Sequence, residues 1–198
     1  MRRTILLLAT MAMTLLMASG VALAATIHCP NDPSSGSPAT YLYCYGTSLA
    51  DTMFGSDLSD VMYAKGGADT MHGYGSGDYL QGDKGSDHLY GDAGADYSLW
   101  GGAYDYGTVN SPYTDTSDDY VHGGSGNDQM TGVYAQGGVD RLYGEGGNDI
   151  IGSSQRADAF SPVTKEIIDC GSGASDEVYF DKGVDVVTNC EIKHPYES

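Results

Sequence analysis

Basic residues are scarce: nine lysines and arginines stand against 27 aspartates and glutamates in 198 residues. That balance excludes the electrostatic footprint of a nucleic-acid binder and any charge-driven attachment to anionic lipid. Glutamate is scarce as well, at five of the 27 acids, although a merely solvated acidic surface would use both carboxylates freely. The shorter aspartate is the side chain of tight turns. Only one run is strongly apolar, Ile5 to Met17, and it is shorter than the roughly 20 residues of a spanning helix. It follows Arg2 and Arg3 and precedes Ala22-Leu23-Ala24, the layout of a secretory signal peptide over residues 1–24 that is cut after Ala24. The chain is therefore expected to be secreted, with no membrane span in its mature part. Absent too are the His-Glu-x-x-His of zinc hydrolases and the Gly-x-Ser-x-Gly nucleophile turn. The histidines, His28, His72, His88, His122 and His194, are scattered. No catalytic residue is assigned, and the sequence reads as non-enzymatic.

Cysteine is limited to four residues, in two separated pairs near the ends of the exported chain: Cys29 with Cys44, and Cys170 with Cys190. Four cysteines in an exported protein read as two disulfides with three possible connectivities. Pairing within each end is favoured, because local staples there would secure the open ends of a repeat stack.

What is present is a ladder. An aspartate recurs every nine residues at Asp51, Asp60, Asp69, Asp78, Asp87 and Asp96, and Asp105 continues the count. Two residues after the first five stand Met53, Met62, Met71, Leu80 and Leu89; the sixth slot holds Ser98 and the seventh Gly107, so the pattern weakens there. Glycines gather before each aspartate, giving the unit G-x-x-G-x-D-x-U-x with U apolar. Nine fits neither an amphipathic helix nor a simple alternating strand. It fits an all-β solenoid in which six-residue turns alternate with three-residue strands, two units to a coil. Glycine permits positive φ and lets carbonyls turn toward one point, while the apolar residue points inward. Aspartates eighteen apart then stack at strand spacing, about 5 Å, as Asp51–Asp69–Asp87 and Asp60–Asp78–Asp96. Their mutual repulsion becomes cohesion if a hard cation lies between them, and calcium accepts six to eight oxygens with loose geometry. Loss of residues 1–24 leaves 27 acidic and seven basic residues, a formal charge of −20 that opposes a compact metal-free state.

Residues 25–45 form a Pro-, Ser- and Gly-rich N-terminal cap, and 46–107 the first repeat block. The phase then slips, and 108–118, with Pro112, reads as an inserted loop. A second block, 119–169, contains Asp119 and Asp128, an insertion near Gly132-Val133-Tyr134, and a third phase of Asp140, Asp149 and Asp158. Asp158 is paired with Phe160 as its apolar residue; the next slot holds Ile167, and Asp169 falls where an apolar residue is expected. That coil reads as degenerate. Asp176 with Val178 and Asp185 with Val187 carry the phase into a C-terminal cap, 170–198.

The unit Gly123-Gly124-Ser125-Gly126-Asn127-Asp128-Gln129-Met130-Thr131 resembles the nonapeptide G-G-x-G-x-D-x-U-x of the repeats-in-toxin, or haemolysin-type calcium-binding, family. The units Gly82–Tyr90 and Gly144–Gly152, with Asp87 and Asp149 in sixth place, match less fully, and the likeness spans roughly Gly46 to Thr188. The resemblance implies a parallel β-roll, here with disulfide-stapled ends, that folds with calcium. It implies metal ligation by Asp51, Asp60, Asp69, Asp78, Asp87, Asp96, Asp119, Asp128, Asp140 and Asp149. The turn glycines that aim carbonyls would be Gly73, Gly75, Gly82, Gly85, Gly91, Gly94, Gly123, Gly124, Gly126, Gly144 and Gly146. Leu49 and Leu58 stand where glycine is usual, which predicts weaker turns at Asp51 and Asp60.

Tyrosine is plentiful, at 16 residues. Many tyrosines fall at outward positions of the unit, among them Tyr63, Tyr79, Tyr90, Tyr106, Tyr120 and Tyr143. Ordinary strand preference accounts for them. The alternative is a calcium-scaffolded adhesion module in which these rings contact a cell-surface glycan or protein partner.

Overall fold

Three-residue strands that alternate outward, inward, outward leave one side chain per strand for the core. The protein is built from that unit. The computed structural model describes residues 24–29, 42–102, 117–131, 138–152 and 164–196. Residues 1–23 of the expected signal, Asp105, residues 108–116 of the expected loop, the insertion near 132–134 and Asp158 lie outside them.

Among the described residues sixteen strands form two eight-stranded, wholly parallel sheets. One sheet comprises β1 (Thr26–His28), β3 (Thr52–Ser56), β5 (Thr70–Tyr74), β7 (His88–Tyr90), β9 (Tyr120–Ser125), β11 (Arg141–Gly146), β13 (Ile167–Asp169) and β15 (Val186–Thr188). The other comprises β2 (Leu42–Tyr45), β4 (Asp60–Tyr63), β6 (Tyr79–Asp83), β8 (Ser98–Gly102), β10 (Gln129–Thr131), β12 (Ile150–Gly152), β14 (Glu177–Asp181) and β16 (Ile192–Tyr196). Odd strands pair only with odd and even with even, so the chain winds as a parallel β-solenoid, as the nine-residue period predicts.

The core is two columns of side chains, one per sheet. Met53, Met71, Leu89, Val121, Leu142 and Ile168 lie in register on one, and Met62, Leu80, Leu99, Met130, Ile151 and Val178 on the other. All twelve are fully buried. Each contributes about 1.5–3 kcal/mol by burial, and the thinness of the core makes every one of them matter. Disulfides Cys29–Cys44 and Cys170–Cys190 join the cysteines within each end, and all four cysteines belong to the buried cluster.

Three phase expectations are corrected. The sixth core residue is Leu99, not Ser98: the Tyr97 amide bonds the Asp78 carbonyl, Ser98 lies opposite Tyr79 and Leu99 opposite Leu80. One extra residue bulges the strand, which puts leucine rather than a hydroxyl into the core. The coil after Asp87 is continued by Asp119, not Asp105, since β7 pairs directly with β9 and the Asp87 amide donates to Asp119 Oδ1. The slot beyond Asp140 is filled by Glu166, not Asp158 or Ile167: Arg141 lies opposite Ile167 and Leu142 opposite Ile168, so Ile168 enters the core. Asp169 is then the outward third residue of its strand, where it accepts from the Gly171 amide and the Asn189 side chain.

Candidate metal centre

The aspartates stand where each turn re-enters a strand, and the two turn columns form the two edges of the solenoid. In each, the backbone amide of one aspartate donates to Oδ1 of the aspartate in the next coil. On one edge the series runs Asp51, Asp69, Asp87, Asp119, Asp140; on the other, Asp60, Asp78, Asp96, Asp128, Asp149, Asp176. The N···O distances are 2.6–3.0 Å, and the ladder continues where its partners lie 21, 27 or 32 residues apart instead of 18. All of these carboxylates are buried. Behind the two heads, Asp51 and Asp60, half of each carboxylate is therefore a structural acceptor, a role that the aspartate spacing alone does not reveal.

The other half is left over. Oδ2 of Asp69, Asp78, Asp96, Asp128, Asp149 and Asp176 is buried without a hydrogen-bond donor. A buried anionic oxygen in that condition is costly, and protonation is the response. Burial pushes Asp78 up to about 8 against the pull of the Asp60 amide, with the Asp96 and Asp60 carboxylates adding to the push. Burial likewise raises Asp69 to about 6, and Asp96 and Asp149 to about 7. Asp128 moves the same way. At the C-terminal end, burial and a hydrogen bond to Asp185 hold Glu166 up at about 9.

The glycines explain what faces those oxygens. With the aspartate counted as position 6, a Cβ on Gly123 at position 1 would stand 2.7 Å from Asp128 Oδ2 and 2.8 Å from the Gly144 carbonyl. Gly73, Gly82, Gly91 and Gly144 are enclosed in the same way by their own aspartate and by the position-1 carbonyl of the next coil. At position 4, Gly85, Gly94 and Gly126 have φ of 116°, 146° and 151°, and a Cβ on each would fall on the position-4 carbonyl of the coil before. Gly124, at position 2, also has positive φ. Gly75 and Gly146 differ: at position 3 the nearest atoms are 3.5 and 3.6 Å from a built Cβ, and Lys84, Ala93 and Ser125 occupy that position elsewhere. Sequence reasoning missed Gly67 and Gly147 at position 4, and Gly101, which packs beneath Asp119 across the 103–116 insertion. It missed a second ladder too, in which Asn127 Oδ1 accepts the Asn148 amide and Asn148 Oδ1 the Ala174 amide.

Each edge is thus a strip of buried carboxylate oxygens beside stacked carbonyls. No three Asp, Glu, His or Cys side chains converge among the described residues, so an ion here takes most of its ligands from the main chain. An all-oxygen, partly anionic, carbonyl-rich lining suits calcium. Asp51 and Asp60 head the two columns, and there the outer oxygen already accepts from Thr47 and Ser56 respectively.

The outer faces carry rings in rows. His28, Phe54, His72, Tyr90, His122 and Tyr143 stack in one column with centroids 4.6–5.8 Å apart. His72 Nδ1 lies 3.2 Å from Asp92 Oδ2, and His122 Nδ1 2.8 Å from Glu145 Oε1. A groove of about 390 Å³ opens between those acids, over Tyr90 and His122, where Gly124 contributes no side chain. The rings cover one another's faces. Among the described residues no helix is long and apolar enough to cross a membrane.

The pattern of the RTX calcium-binding nonapeptide repeat matches the chain in four copies, over residues 45–78, 72–103, 113–132 and 133–152. No curated protein matches the chain.

Proposed function

The chain belongs to the RTX calcium-binding nonapeptide repeat family, and on that footing we propose that it is an exported, non-enzymatic protein whose folding is driven by calcium. The observation that carries this reading is the row of buried Oδ2 atoms with no hydrogen-bond donor. Asp69, Asp78, Asp87, Asp96, Asp119, Asp128, Asp140 and Asp149 would hold the ions, with carbonyls of turn positions 1 and 4. Calcium supplies the positive charge that lets these carboxylates stay ionised inside the fold. The chain's own residues do the rest: the inter-coil amides fix Oδ1, the glycines clear space for Oδ2, and the core columns hold the coils in register. Export rests on the signal-like segment at residues 1–24 and the end-local disulfides. The partner-binding alternative gains no support from the stacked rings, because a sugar-stacking platform needs exposed ring faces.

Circular dichroism during a calcium titration of the purified mature chain tests the reading. The β signal should appear at roughly 10⁻⁴–10⁻³ M calcium, the range of extracellular modules, and magnesium should not replace it because it dehydrates reluctantly. A β-rich spectrum unchanged by excess chelator at pH 8 overturns calcium-driven folding.

A further inference from the structure

The turns at Asp51 and Asp60 are built on a different plan from those behind them. In the six-residue turns ending at Asp69, Asp78, Asp87, Asp96 and Asp149, positions 2 and 4 both have positive φ: Lys65 and Gly67, Tyr74 and Ser76, Asp83 and Gly85, Asp92 and Gly94, Glu145 and Gly147. In the first two turns the same positions hold Thr47 and Leu49, then Ser56 and Leu58, and none of the four has positive φ.

What these residues do instead is the same in both turns. The Thr47 amide donates to Asp51 Oδ2 at 2.6 Å and its hydroxyl to Asp51 Oδ1 at 3.2 Å. The Ser56 amide and hydroxyl donate to Asp60 Oδ2 at 2.7 and 3.0 Å. Each hydroxyl oxygen also accepts the amide two residues on, from Leu49 at 3.2 Å and Leu58 at 3.1 Å, which fixes the turn locally. Ala25 adds an amide to Asp51 Oδ1 at 2.9 Å. At Asp51 both oxygens are thus met by donors; at Asp60 two donors meet Oδ2, while Oδ1 stays buried without one. The last turn repeats the device in part, since the Asp181 amide donates to Asp185 Oδ2 at 2.7 Å.

We propose that Thr47, with Ala25, at both oxygens of Asp51 and Ser56 at one oxygen of Asp60 stand in for the cation, so that the first full coil, residues 46–63, closes without calcium and the calcium-bearing stretch begins with the turn that ends at Asp69. This rests on the calcium-driven folding proposed above and adds a direction to it. The first coil is covered at its open end by β1 and β2 and tied there by Cys29–Cys44. It is a standing template, and because a solenoid couples only nearest neighbours, calcium lays the interior coils onto it in order.

Hydrogen exchange followed by mass spectrometry on the full oxidised chain, in chelator and in calcium, tests the proposal. In chelator, amides of 46–63 should stay protected while those of 70–102 exchange about a hundredfold faster or more. Equal loss in both segments overturns the template and leaves calcium-driven folding standing. The double variant Ser56→Gly/Leu58→Gly restores the repeat pattern ahead of Asp60. Calorimetry should then count one more calcium than in the parent chain, and residues 46–63 should lose their calcium-free protection. An unchanged ion count overturns the proposal even if the parent chain proves folded throughout in chelator, a result that would separately refute calcium-driven folding.

Discussion

At the scale of single residues, the ladder aspartate does two jobs with its two oxygens, and substitution separates them. In Asp78→Asn the side-chain carbonyl still accepts the Asp60 amide, while the charge on the other side of the group is gone. Removing the buried charge should stabilise the metal-free fold while lowering the number of calcium ions bound. Asp78→Ala strips away the acceptor as well and orphans the buried Asp60 amide, a cost of about 1–3 kcal/mol. Chemical denaturation in chelator, combined with calorimetric ion counts, checks the pair. Equal destabilisation by both variants in chelator would show that the charge of Oδ2 carries no penalty. The sequence made the identity of these aspartates legible because their spacing is rigid. It concealed the amide–carboxylate bonds, which join residues 18 to 32 apart. It concealed the Thr47 and Ser56 caps for a different reason: a hydroxyl four residues before an aspartate is an ordinary turn feature until the partner oxygen is located.

At the scale of the strand, the register decides which side chains are core, and β8 is the place to test it. Leu99 is fully buried opposite Leu80, whereas Ser98 is half-buried on the outward side. Leu99→Ala should cost about 2–5 kcal/mol as a buried large-to-small change, while Ser98→Ala should stay within about 0.5 kcal/mol as a surface change. Calcium-saturated thermal unfolding reads both, and the reverse ranking would place the bulge elsewhere. Counting along the chain gave serine the core slot because a count of nine takes no account of a bulge. The same blindness assigned the slot above Asp87 to Asp105 and the one beyond Asp140 to Asp158. In each case several acids are close in sequence, and only the pairing of strands selects Asp119 and Glu166. Elsewhere the coil of two units and the inward methionines and leucines followed from spacing, because three-residue strands have only one inward position to fill; the end-local disulfides followed instead from the need to close the open ends of a stack.

At the scale of the whole molecule, the buried carboxylates act together, and pH should substitute in part for calcium. A carboxyl whose pKa rises on folding favours the fold while it is protonated. Its contribution is whole below the ordinary value of about 4 and is lost as pH climbs through the folded-state value. Those values are about 6 at Asp69, about 7 at Asp96 and Asp149, and about 8 at Asp78. In chelator the chain should therefore be β-rich near pH 4 and lose structure between about pH 6 and 8, while saturating calcium should keep it folded across that window. Far-ultraviolet circular dichroism at a series of pH values, with and without calcium, reads the two curves. A metal-free signal that grows as pH rises from 4 to 8 would reverse the assigned direction.

The calcium ions proposed for this protein belong to the two buried edges, not to the acidic surface. Anomalous scattering from crystals grown in calcium locates them directly. Two rows of peaks are expected, one beside Asp69 and Asp87 and the other beside Asp78, Asp96, Asp128 and Asp149. Peaks confined to outward acids such as Asp57, Asp83 and Asp92, with the ladder carboxylates bare, would contradict this placement.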